Sequence, residues 1–190
     1  MKSKVYFLIV VILVLISVTS LMTYSYFTAK VESNDINDVD VSSGNLKIKI
    51  DDTSINASEI SPIYDTDYEM LAYNKDFEVI SDSTLNACSK ISLHINEMSD
   101  PLKSEYFKYR IISEGIDETG DFKDAKVGED LVILDNLYLE KETTKYFDLY
   151  LWVSYQDNVD QLDLLGTKID AHLVVSGVDA KTEDMCIKNN

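Results

Sequence analysis

The chain has 190 residues and sets 34 acidic side chains against 17 basic ones, a net charge of −17. A field of that sign repels polyanions, so nucleic acid is excluded as a partner, and the same charge suits the soluble surface of a secreted protein. The hydrophobic share of 45% is globular, and the length gives one domain large enough to fold without help from a metal or a disulfide.

Lys2 and Lys4 precede an uncharged apolar run, VYFLIVVILVLISVTSLM, over residues 5–22. A basic start followed by an apolar stretch is the order of a signal peptide, and it predicts an N-terminal hydrophobic helix. The run is also close to the minimum for a membrane span, about 17–25 residues, so an uncleaved anchor is the alternative to a cleaved leader. Thr23-Tyr24-Ser25 offers small or polar residues before a cleavage point between Ser25 and Tyr26. Either way the basic side stays inside and residues 26–190 are exported, to the medium or the cell surface.

Residues 26–42, YFTAKVESNDINDVDVS, are polar and acidic and read as an extended segment. Ser43-Gly44-Asn45 is a turn signal. Leu46, Ile48 and Ile50 then alternate with lysines, the pattern of a half-buried strand. Residues 51–67 read as a loop, with Ile60, Ile63 and Tyr64 plugging the core edge. Further strands are predicted around Phe77 and Val79, through Ile91, Leu93 and Ile95, and through Phe107, Tyr109 and Ile111. The three-glycine stretch 115–130, GIDETGDFKDAKVGED, reads as a long charged surface connection.

A strand begins at Leu131 and continues as far as Leu139 if Asp135-Asn136 does not end it. The clearest pattern is KYFDLYLWVSY at 145–155. It puts Phe147, Leu149, Leu151, Val153 and Tyr155 on one face and Tyr146, Asp148, Tyr150, Trp152 and Ser154 on the other. Ile169, Ala171, Leu173 and Val175 make the last strand, and residues 178–190 are a tail. Seven or eight strands with no long amphipathic helix predict an all-β, antiparallel two-sheet sandwich over residues 43–177. Strand count alone leaves a jelly roll and an immunoglobulin-like sandwich both open.

Chemistry-bearing groups are few. No zinc-protease, nucleophile-elbow or phosphate-loop motif occurs, so no enzymatic activity, cofactor or metal is expected. His94 and His172 each sit on the polar face of an alternating strand and read as surface residues. Asp117, Glu118, Asp121 and Asp124 put four carboxylates in eight residues, a weak calcium candidate without the EF-hand frame. Trp152 with Tyr146 and Tyr150 is the one aromatic platform on which a sugar-binding or glycosidase site would rest; the simpler expectation is rings packed under another segment. Cys88 and Cys186 lack metal-site spacing. In an exported chain they permit one disulfide tethering the tail, the alternative being two free thiols.

Two short motifs carry a likeness. Tyr24-Ser25-Tyr26-Phe27-Thr28 closes the leader, and Ser43-Gly44-Asn45-Leu46-Lys47-Ile48 follows after a polar stretch. In order and spacing these resemble the TasA/camelysin family of exported Gram-positive proteins, over about the first 50 residues. The resemblance implies a jelly-roll domain, removal of the leader by a dedicated signal peptidase, and a place in extracellular fibres of the biofilm matrix. It also implies that the processed segment 26–42 adds as a strand to a neighbouring subunit. The metallopeptidase label of some relatives does not carry over, because this chain has no zinc constellation. The expected function is thus a structural or interaction protein assembling with itself or another matrix protein. The alternative is a membrane-anchored surface domain binding a carbohydrate or a protein.

Overall fold

The computed structural model describes residues 29–30, 38–43, 46–51 and 53–187. The expected hydrophobic leader helix and the expected cleavage point between Ser25 and Tyr26 lie outside these. The strands are β1 (Ala29–Lys30), β2 (Asp38–Ser43), β3 (Leu46–Asp51), β4 (Ser54–Ile60), β5 (Pro62–Ile63) and β6 (Tyr73–Ser81). They continue with β7 (Asn86–Met98), β8 (Phe107–Ser113), β9 (Ile116–Asp121), β10 (Asp130–Leu139), β11 (Thr143–Ser154) and β12 (Thr167–Ala180).

They form a two-sheet β-sandwich. One sheet runs β1-β12-β7-β10, with β4 beside β1 on the same edge of β12. The other runs β2-β3-β6-β11-β8-β9, with β5 alongside the end of β11. Pairing is antiparallel throughout the described strands except for β5 on β11. From β3 onward nearly every connection changes sheet, giving the interleaved orders β4-β12-β7-β10 and β6-β11-β8-β9. That winding is jelly-roll-like. Immunoglobulin-type sheets keep sequential hairpins within each sheet, whereas among the described strands only β2–β3 and β8–β9 do so.

The core follows from alternation. Phe147, Leu149, Leu151 and Val153 of β11 are buried against Ile91, Leu93 and Ile95 of β7 and Leu173 and Val175 of β12, all in one apolar cluster. The two sheets approach closely at Gly177, where a Cβ would come within 2.9 Å of Ile48 from the facing sheet. Side chains as large as Phe107, Phe122 and Phe147 are fully enclosed, each worth about 1.5–3 kcal/mol of burial.

Three expectations are corrected. Residues 51–67 contain a strand, β4, with Ile55 and Ala57 buried on alternate positions. Glu59 at φ 57° breaks the alternation so that Ile60 also turns inward. Asparagine, alanine and serine at 56–58 are weak strand formers, and pairing with β12 overrides them. Residues 115–130 are likewise not one long connection, because β9 occupies 116–121 and Phe122 stacks on Phe107 at 4.3 Å to close the sandwich end. Tyr155, expected on the inner face of β11, lies beyond its end; it is exposed, and its ring meets Tyr64 edge-on at 5.1 Å.

Candidate functional site

Two described strands fall in or overlap the segment 26–42, read from the sequence as extended. In β1, Ala29 and Lys30 stand opposite Gly177 and Ser176 of β12. In β2, Asp38–Ser43 pairs residue for residue with Asp51–Leu46 of β3. Each strand is terminal in its sheet, and the two belong to different sheets. The opposite edges carry blocking features of the kind that discourages pairing with another chain. In β10 there are register shifts around Asn136, whose φ is 57°; in β9 there are Asp117, Glu118 and Asp121.

Those acidic residues do not converge. Asp117 is held by Arg110, whose Nε and Nη2 donate to its two oxygens at 2.7 and 2.6 Å. The guanidinium bonds hold the Asp117 carboxyl below the usual carboxylate range. Glu118, the next strand residue, points to the other face. Asp121 accepts from the Lys123 backbone N–H at 3.1 Å, and Asp124 lies in the following turn. Among the described residues no group of three or more His, Cys, Asp and Glu is arranged to hold a metal ion.

The aromatic face of β11 is covered by the crossover between β5 and β6. Tyr68, in the single helical turn Tyr68–Leu71, stacks on Trp152 at 5.5 Å and meets Tyr150 edge-on at 5.1 Å. Arg110 lies 4.7 Å above the Tyr68 ring. Trp152 is 4% exposed, and its indole N–H donates to Asp65 at 2.8 Å. Lys108 donates to the other Asp65 oxygen at 2.6 Å. Burial pushes the Asp65 carboxyl up, but the bonds from Lys108, Trp152 and Ser154 outweigh it and hold it low. The rings are therefore packed, with Tyr146 alone strongly exposed. The sequence suggested a covering segment but not its identity, because Tyr64–Leu71 has no period of its own.

Cys88 and Cys186 form a disulfide with Cα atoms 5.2 Å apart. It fastens the helical turn Asp184–Ile187 to the outward side of β7, with Cys186 buried. The two histidines also meet. His94 of β7 and His172 of β12 are directly paired, their rings 4.9 Å apart. Asp130 of β10 lies opposite His94 and accepts from its Nδ1 at 2.7 Å. Alternation marks each histidine as outward-facing, but only the strand register places them side by side.

No helix among the described residues is long and apolar enough to cross a membrane. Set against family models, curated proteins and solved structures, the chain has no match.

Proposed function

We propose that this chain is an exported structural or interaction protein of the cell surface or matrix, self-assembling by strand addition with residues 26–42 as the donor. The observation that carries this reading is the edge position of β1 and β2, one on each sheet. An edge strand is held by main-chain hydrogen bonds, which are the same whichever copy of the chain supplies it. The exchange of identical elements between copies thus needs little new chemistry. Blocking features on β9 and β10 direct any such addition toward the β2 and β1–β4 edges. The likeness of residues 24–28 and 43–48 to the TasA/camelysin leader supports cleavage before Tyr26, which frees the donor.

The test compares the mature chain with a variant lacking residues 26–42, by light scattering and electron microscopy. Assembly by the first, abolished in the second and inhibited by a peptide of residues 26–43, supports the reading. A mature chain that stays monomeric in every condition, or assembly that survives the deletion, overturns it.

A further inference from the structure

The chain has two histidines in 190 residues, and the fold sets them side by side on neighbouring strands. They lie in one row crossing the outward side of the β1-β12-β7-β10 sheet. Ser54 of β4 is opposite His172, His172 is opposite His94, and His94 is opposite Asp130. Three strands distant in sequence thus bring two imidazoles and a carboxylate to one level. We propose that His94 and His172 bind a divalent transition-metal ion of the zinc, nickel or copper class, with Asp130 as the positioning residue for His94.

Three features support this. Asp130 accepts a hydrogen bond from the Nδ1–H of His94 and so favours the tautomer in which Nε2 carries the ligating lone pair, the carboxylate–histidine arrangement found beside bound metals. The spacing also allows it. With one nitrogen of each ring turned to a common ion at an ordinary zinc–nitrogen bond, each imidazole centroid would lie about 3.2 Å from the ion, and rings 4.9 Å apart would subtend about 100° there, within the range of tetrahedral and square geometries. Finally, the His94 and Asp130 side chains are each 25% exposed, wet enough for an ion to enter and for water to fill its other positions.

Two protein nitrogens make an open, exchangeable site and not a closed structural one. Imidazole selects these ions over calcium and magnesium, which prefer oxygen ligands. The acidic surface raises the local concentration of cations without selecting among them. The site stands apart from the strand-addition reading and survives its failure.

The experiment is calorimetric titration of the untagged mature chain with zinc chloride in excess calcium. One zinc per chain is expected, with D130N weakening binding about 10–100-fold and H94Q/H172Q abolishing it. Zinc should raise the melting temperature of the parent and not of the double variant. Absence of zinc binding by the parent, or parent-like affinity in H94Q/H172Q, overturns the proposal; the latter places the ion on surface carboxylates. Copper(II) titration of the parent with electron paramagnetic resonance is independent of any variant. Coupling to two imidazole nitrogens supports the site, and an all-oxygen signature overturns it.

Discussion

Asp65 and Asp76 show how one residue type serves opposite ends against a single strand, β11, Asp65 from the crossover above it and Asp76 from the strand beside it. Asp65 satisfies the indole of Trp152 and the ammonium of Lys108. Replacing it with alanine leaves a buried N–H without a partner and should cost about 1–3 kcal/mol in urea unfolding. Because its folded pKa is lowered, the stability it supplies is present above the ordinary carboxylate range and is lost as pH falls through the folded value. Asp76 instead stands directly opposite Asp148 on the neighbouring strand. Burial, then the bond and charge of Asp76, raise the Asp148 pKa. That contribution is most favourable below the unfolded pKa and is lost as pH rises through the raised folded value. Asp76→Asn should therefore stabilise the protein at pH 7 by about 0.2–1 kcal/mol, the usual cost of opposed like charges in a sheet. The gain should fade as pH falls through the raised folded pKa of Asp148, where that carboxyl becomes neutral and no longer opposes a like charge; thermal melts of both proteins from pH 7 downward check it.

At the scale of elements, long-range ties decide which segments hold. The Cys88–Cys186 disulfide closes a loop of 98 residues and joins the tail to β7. Cys88→Ser with Cys186→Ser should lower stability by about 2–4 kcal/mol through the freer unfolded chain. Hydrogen exchange should show the turn Asp184–Ile187 opening first, while β6 and β11 keep their protection. Equal loss of protection in all three would mean that the tail is part of the cooperative core. The β8–β9 hairpin has a different anchor. Gly120 lies opposite Tyr109, whose ring occupies the space a Cβ would need. Beyond it, the enclosed ring of Phe122 holds the end of the hairpin to the sandwich.

For the whole molecule, a net charge of −17 opposes contact between copies. The strand addition proposed above would have to overcome that repulsion, which salt screens over about 10 Å at 0.1 M. Assembly of the mature chain should therefore quicken as sodium chloride rises from about 10 mM to several hundred millimolar, where the screening length falls below the strand-addition contact. Light scattering at a fixed protein concentration measures it; a rate that falls with salt would mean that attraction between unlike patches drives contact.

The sequence alone determined the β class, the main strands and their inward faces, because a period of two over Phe147–Val153 or Ile91–Ile95 leaves no other economical burial. It determined the acidic surface by simple count. It did not determine β4 or β9, whose residues have weak intrinsic preference and become strands only by pairing with β12 and β8. Nor did it determine which segment covers Trp152, or the jelly-roll-like winding, since period two fixes a face and not a neighbour. The metal-site proposal lies wholly on that side of the division. His94, His172 and Asp130 are up to 78 positions apart. Nothing local couples them; the hydrogen-bond register of three strands sets them in one row.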